Sequence, residues 1–319
     1  MINHKTLGID ISKKKFDVAL LSNQKLKHKK FTNDEKGFQL LHQWLVKQDG
    51  LEAHVCLEAT GIYGEALSEY LFDAGYTLSV VNPARVKGFS QSELQRNKTD
   101  KTDAGLIARF CFAMKPQTWS PLPKEIRELR DLVRHLDALQ SMRQQEKNRL
   151  EAASKVIQTH LLDHIDYLDH EIKQIKNLID QQIEGHPDLE TRRGLLTSIP
   201  GIGEATIRVI LSEFGDIHRF KNAKALAAFI GVAPRVRESG TSLRDRGKMS
   251  KTGRSQLRKA FFMPALVALR YNPIIMELKE RLTLVGKSKM AIVGAAMRKL
   301  VHLIYGVLKN GVPFNAKFA

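Results

Sequence analysis

The first 115 residues change hydrophobic period several times. LGID (7–10), FDVALLS (16–22) and KLKHKKF (25–31) are short extended runs separated by KKK and SNQ, which predicts a three-stranded antiparallel meander. From Asp34 to Lys47 the apolar residues Phe38, Leu41, Trp44 and Leu45 fall at helical spacing. A buried strand AHVCLE (53–58), a helix over about 62–74, a strand TLSVV (77–81), a turn at Asn82-Pro83 and a helix from about Thr99 to Met114 follow. Strands that first meander and then alternate with helices predict a mixed sheet covered by helices.

A breaker-rich stretch, Pro116 to Pro123, reads as a linker. Beyond it Ile126, Leu129, Val133, Leu136 and Leu139 recur at three and four residues in a helix running from Glu125 to about Leu162. A second run carries Leu168, Ile172, Ile175, Ile179 and Ile183. This spacing predicts two long amphipathic helices, packed as an antiparallel coiled coil, and oligomerisation is the modest inference. LLTSIPGIGEATIRVILSEFG (195–215) then joins two helical runs through Pro200, Gly201, Ile202 and Gly203. That is a helix-hairpin-helix signature: the glycines allow close backbone approach, and the exposed N–H groups of the second helix can hold a phosphate. An ordinary tight turn between helices has the same pattern. A helix with Ala225, Leu226 and Phe229, a polar and basic connection over 234–259, and helices over roughly 251–270, 273–284 and 288–309 complete the chain. The expected division is 1–115, 116–186 and 187–319.

Charge changes this picture most in the last third. The 319-residue chain carries a formal charge of +17, yet residues 201–319 hold 22 of its basic residues against 7 acidic ones, while the first two hundred residues are nearly balanced. A positive field confined to one region points to a polyanion bound there, with nucleic acid the usual one. No uninterrupted apolar run approaches the roughly 18 residues of a bilayer span, and MINHKTLGID lacks a signal-peptide core. A cytoplasmic protein without a membrane partner is expected. Cys56 and Cys111, both in apolar surroundings, are too few for a disulfide framework and read as reduced core residues.

Four carboxylates stand where the expected sheet would gather them. Asp10 ends the first strand and Glu58 the fourth. Asp100 and Asp103 open a helix, three residues apart on one face. Clustered carboxylates repel, and a divalent cation is the usual means of keeping several ionised. Oxygen donors without histidine or cysteine point to magnesium, with manganese as a substitute. Each acid also has an innocent reading: a helix cap, a strand-end surface charge or a turn residue. GIDIS and EATG also suit the nucleotide-binding core of sugar kinases, although the second half lacks the further glycine-rich phosphate loops that reading expects.

GIDISKKKFDVAL, CLEATGIYGEAL, VNPARVKGFSQSELQRNKTDKTDA, SIPGIGEATI and FIGVAPRVRESGTSLRDRGKMSKTGRSQLRKAFFMPA together closely resemble the DEDD-type insertion-sequence transposases. This is insertion-sequence family one-ten, related to the Piv invertases and understood as bridge-RNA-guided recombinases. The element order is also that of the ribonuclease H fold. The resemblance implies a RuvC-like domain whose magnesium-binding tetrad is Asp10, Glu58, Asp100 and Asp103, a linking coiled coil, and a mainly helical C-terminal transposase domain with the helix-hairpin-helix. It makes Ser239, within Glu238-Ser239-Gly240, the nucleophile. It implies dimers assembling to tetramers, the acids of one subunit completed by the serine of another, and a structured bridge RNA pairing with double-stranded target and donor DNA. Arg235, Arg237, Arg244, Arg246, Lys248, Lys251 and Arg254 surround the serine in sequence and suit phosphate binding. With Gly201 and Gly203 they are the candidate nucleic-acid contacts. The rival readings are a junction-resolvase-type metal nuclease using water, and a non-catalytic nucleic-acid-binding protein.

Overall fold

The computed structural model describes residues 5–59, 61–92, 100–235, 238–239, 243–244, 248–250, 252–253 and 255–316. The chain forms two compact units, Met1–Pro121 and Leu122–Ala319.

In the first unit, β1 (Thr6–Ile11), β2 (Lys15–Ser22) and β3 (Lys25–Thr32) form the antiparallel meander, and β4 (His54–Glu58) and β5 (Leu78–Val81) extend it in parallel. The five-stranded mixed sheet has the order β3-β2-β1-β4-β5. Helix α1 (Glu35–Lys47) starts where the Asp34 carboxylate accepts the Gly37 N–H at 2.8 Å, and it buries Phe38, Leu41 and Leu45. These pack with Leu67 and Leu71 of α2 (Glu65–Asp73) over Leu7, Ile9, Phe16, Val18, Leu20, Val55 and Leu57.

Alternation along each strand sends the other residues to the opposite face, which α4 (Asp100–Met114) covers. Between these elements lies α3 (Pro83–Ser92). Small residues let α4 approach closely. Ala104 and Ala108 pack with Ala19, and a side chain on Gly8 would come within 2.1 Å of the Ala104 carbonyl oxygen. The linker is tied to the sheet: Trp119 donates its backbone N–H to Leu78 at 2.6 Å, and the Ser79 hydroxyl reaches the carbonyls of Pro116 and Gln117.

The second unit opens with a helical hairpin, α5 (Lys124–Glu151) and α6 (Lys155–Glu184). Contacts of Arg143 with Asp169, and of Glu146 with His164, run in antiparallel register. The break between these helices falls at 152–154, earlier than the expected end near Leu162. No glycine or proline marks it; the Ala152 N–H closes back on Arg149 and Leu150, and Ser154 begins the next helix in extended backbone. Helices α7 (Pro187–Thr197), α8 (Glu204–Phe214) and α9 (Ala223–Ile230) share one apolar core with the hairpin and the C-terminal helices. These last are α10 (Ser255–Ala260), α11 (Phe262–Tyr271), α12 (Pro273–Leu284) and α13 (Lys289–Asn310). The expected continuous helix over 251–270 is instead α10 and α11, divided at Phe261. Pro264, lacking an N–H, cannot donate to the Ala260 carbonyl one turn earlier.

Among the described residues α13 is long and apolar enough to cross a bilayer. It is nonetheless a core helix here, burying Val293, Ala296, Leu300, Val301 and Ile304 and carrying Arg298, Lys299 and His302. Between α9 and α10, the polar and basic connection holds two short antiparallel pairs. β6 (Pro234–Arg235) pairs with β9 (Lys248–Met249), and β7 (Glu238–Ser239) with β8 (Leu243–Arg244).

Candidate active site

The sheet brings Asp10 and Glu58 together. β1 and β4 run parallel in the register Gly8 to Cys56 and Ile9 to Leu57, so Asp10 and Glu58 occupy the next rung at the C-terminal ends of adjacent strands. Rung partners project to the same face. Gly8 and Thr6, on Asp10's side of β1, both meet α4: the Thr6 hydroxyl donates to the Ala108 carbonyl at 2.9 Å. Glu58 and Asp10 therefore lie on the face that α4 covers, and both are half-buried.

The direction of α4 follows from the same contacts. Thr6 lies beside Ala108, and Gly8 beside both Ala104 and Ala108, so the helix runs opposite to β1. Two further strand residues, at about 3.3 Å each, match about four helical residues at about 1.5 Å each. The level of Asp10 is thus that of the first turn of α4, where Asp100 and Asp103 lie in sequence. Asp103 is half-buried; the side chain of Asp100 lies outside the described residues. Among the described residues, no three histidine, cysteine, aspartate or glutamate side chains converge closely enough to hold a metal ion.

Further residues lie near these carboxylates. Asp17 stands across from Asp10 on β2, and Lys30 of β3 pairs with it at 3.4 Å. Two residues inward from Glu58, Cys56 and Cys111 are buried free thiols. The hydrogen bond it donates to Cys111, and then burial, hold the Cys56 thiol well above its ordinary pKa.

In the second unit Ser239 lies on β7, opposite Leu243, and Arg244 opposite Glu238. Arg235 is exposed on β6 and pairs through its backbone with Lys248. The side chains of Ser239, Arg244 and Lys248 lie outside the described residues, as do Arg237, Arg246, Lys251 and Arg254.

The two hairpin glycines differ. Gly201 has φ of +101°, and a β-carbon there would come within 2.8 Å of the Ala268 β-carbon on α11, so it serves close helix packing. The adjoining Pro200 carbonyl accepts the Asn272 amide at 3.2 Å. Gly203 is the N-cap of α8 and faces open space. Glu204, the first residue of that helix, pairs with Arg193 at 3.3 Å. Sequence reading missed Gly8, Ala104 and Ala108 as the residues that seat α4. Their signal is a run of small residues at helical spacing facing a strand glycine.

Comparison with known proteins decides the family. The DEDD-type IS110 transposase model matches residues 7–157, and the Transposase IS116/IS110/IS902 family model matches residues 193–280. The pilin gene-inverting protein of Moraxella bovis is 33% identical over 314 residues, covering 98% of either chain. The chain belongs to the IS110 family of DEDD-type transposases. The pilin gene-inverting protein of Moraxella lacunata is equally similar, at 33% over 98% of both chains. The putative transposase y4rJ of Sinorhizobium fredii is 27% identical, covering 69% of this chain and 66% of its own. As an IS110-family transposase the chain is an enzyme acting on DNA. The match over 7–157 includes all but the first residue of the five-stranded sheet, and α4, and the match over 193–280 includes α8 and the serine-bearing segment.

Proposed function

We propose that this transposase cuts and rejoins DNA through a serine nucleophile assisted by an acidic, magnesium-binding site on a RuvC-like, ribonuclease-H-type sheet. The observation that carries the reading is that Asp10 and Glu58 directly follow the last β1–β4 pair, Ile9 with Leu57, at the end of the sheet where α4 begins. Asp10, Glu58, Asp100 and Asp103 would hold the ion; their hard oxygen donors suit magnesium, with manganese substituting. Bound there, it would stabilise negative charge on a phosphodiester and orient it.

The remaining steps belong to the chain. The Ser239 oxygen attacks phosphorus and gives up its proton. The bond to one strand's terminal oxygen breaks, that oxygen takes up a proton, and a phosphoserine ester retains the bond energy for rejoining. Strand exchange then needs no ATP. Arg235, Arg237, Arg244, Arg246, Lys248, Lys251 and Arg254 would steady phosphates around the serine, and Gly203 would present the N-terminus of α8, in a helix-hairpin-helix, to the backbone. Sequence choice would fall to a structured bridge RNA pairing with target and donor DNA. Assembly is a tetramer of two dimers, in the cytoplasm and on the nucleoid when bound to DNA. The division into a 1–115 catalytic domain, a 116–186 coiled coil and a 187–319 transposase domain is part of the same reading.

The test is recombination between two plasmids carrying the element's ends and a target, with the flanking RNA supplied, and denaturing detection of protein-linked DNA. Wild type is expected to give product and a covalent adduct, both dependent on the RNA. Ser239→Ala is expected to give neither. Product without an adduct would make water the nucleophile, and full activity of Asp10→Ala would remove the metal site from the reaction.

A further inference from the structure

Helix α13 carries a polar stripe through an otherwise apolar sequence. Gly294, Arg298, His302 and Gly306 recur every fourth residue and so share one face. α9 and the short helical turn Ile217–Arg219 pack along α13. The Tyr305 hydroxyl donates to the Phe220 carbonyl at 3.1 Å, and Lys309 Nζ lies 2.6 Å from His218 Nδ1. Lys224, at the start of α9, lies in electrostatic range of His302.

The charges along this strip are of one sign. α13 contains no acidic residue, and between Phe214 and Lys224 the single acid is Asp216, whose carboxylate caps the His218 N–H at 2.8 Å. Among the described residues none of Arg298, Lys224 and Lys309 forms an ion pair with a carboxylate. The Arg298 Nε and His302 Nε2 atoms are buried without a hydrogen-bond partner. Burial first, and then the charges of Arg298, Lys299 and Lys224, hold His302 below the ordinary imidazole pKa. Like charges brought together and partly desolvated cost free energy. A phosphate backbone laid along the strip would offset that cost.

We infer that Arg298, His302 and Lys309 of α13, with Lys224 and His218, form a seat for the phosphate backbone of duplex DNA, separate in sequence from the serine-bearing segment. The inference rests on the reading of the chain as a DNA-acting transposase. From Arg298 to Lys309 the helix rises about 16 Å, a length over which one strand of a duplex presents about five phosphates. Lys224 and Lys309 are exposed and open to that row. The same stripe explains why a helix apolar enough for a bilayer keeps arginine and histidine midway along it.

The test is binding of the full-length chain to a labelled random-sequence duplex across a salt series, with a structured RNA in a parallel arm. Lys224→Glu combined with Lys309→Glu alters two exposed residues. The double variant is expected to weaken duplex binding at least about tenfold near 0.1 M salt and to reduce the slope of log affinity against log salt by about 2. Lys287→Glu, an exposed change of the same type outside the strip, sets the baseline, and circular dichroism melting checks folding. Arg298→Gln, which removes one charge and keeps a polar side chain, is expected to lower the slope by about 1. If the wild-type chain binds duplex and the double variant matches Lys287→Glu, the strip is refuted while the transposase reading stands. Absence of wild-type duplex binding refutes the seat as well, while the family assignment, which rests on the relatives, stands. Loss confined to the RNA arm refutes the assignment to DNA.

Discussion

The acidic end of the N-terminal sheet and the serine-bearing segment of the C-terminal unit are built in opposite ways. Asp10 and Glu58 sit on strands whose register is fixed by a continuous ladder, under a helix seated by glycine and alanine. Ser239 sits on a two-residue strand that, among the described residues, pairs with Leu243 and its neighbour, in a stretch rich in arginine and lysine. A rigid scaffold suits groups that must hold an ion in fixed geometry. A short hairpin suits a nucleophile that must reach a phosphate and later release it. The two halves of the proposed chemistry should therefore fail differently.

The largest contrast is expected between Asp10→Asn and Ser239→Ala. Each should lower recombination by at least about a hundredfold, but only Asp10→Asn should abolish divalent-cation binding in calorimetry. Equal loss of cation binding in both would erase the proposed division of labour. Next comes the scaffold. Gly8→Ala pushes a β-carbon into the α4 backbone, with contacts of 2.1 and 2.3 Å to Ala104 and Ala108, and should cost about 3 kcal/mol or more in urea unfolding.

Gly203→Ser is the matching change in the other unit, where a β-carbon meets open space and the backbone is already extended, with φ of −107°. Its stability should stay within about 0.5 kcal/mol of wild type, while duplex affinity falls because a side chain now stands before the α8 amides. Unchanged affinity would take α8 out of the DNA contact. The smallest effect concerns Asp34. The hydrogen bond its carboxylate accepts from the Gly37 N–H, then that from the Thr32 hydroxyl, holds its pKa below the ordinary aspartate value in the folded state. Stability from this cap is thus present above the unfolded pKa and lost as pH falls through the folded one. The melting-temperature gap between wild type and Asp34→Ala should be level at neutral pH and close below about pH 4. A gap that widens on acidification would contradict the assignment.

The same contrast explains what could be read from sequence. The meander, the alternation that follows it and the positions of Asp10 and Glu58 at strand ends were legible because period and burial coincide there. The close seat of α4 on Gly8 was not, since a glycine inside a strand has several possible causes and only its neighbour's backbone decides among them. The helix break at 152–154 was invisible because alanine and serine carry no stop signal. The divide at Phe261 could have been found from Pro264, whose missing donor acts one turn upstream. Ser239 had no local signature beyond a polar turn, and its reading came from resemblance to the family. The polar stripe of α13 was present in the spacing of Arg298 and His302, but the apolar residues around it read as core.

The sheet's two borders are finished differently. Along β5 the departing chain supplies a backbone hydrogen bond from Trp119 and is held by Ser79, so that border is occupied. β3 lies at the other border, and its solvent-facing positions include Lys25, Lys27, Lys29 and Lys30. Unsatisfied strand borders recruit other strands, and lysine is a common guard against it. This arrangement leaves one side on which copies could join edge to edge and charges that side against itself, so the chain can be concentrated on a polyanion without its sheets fusing.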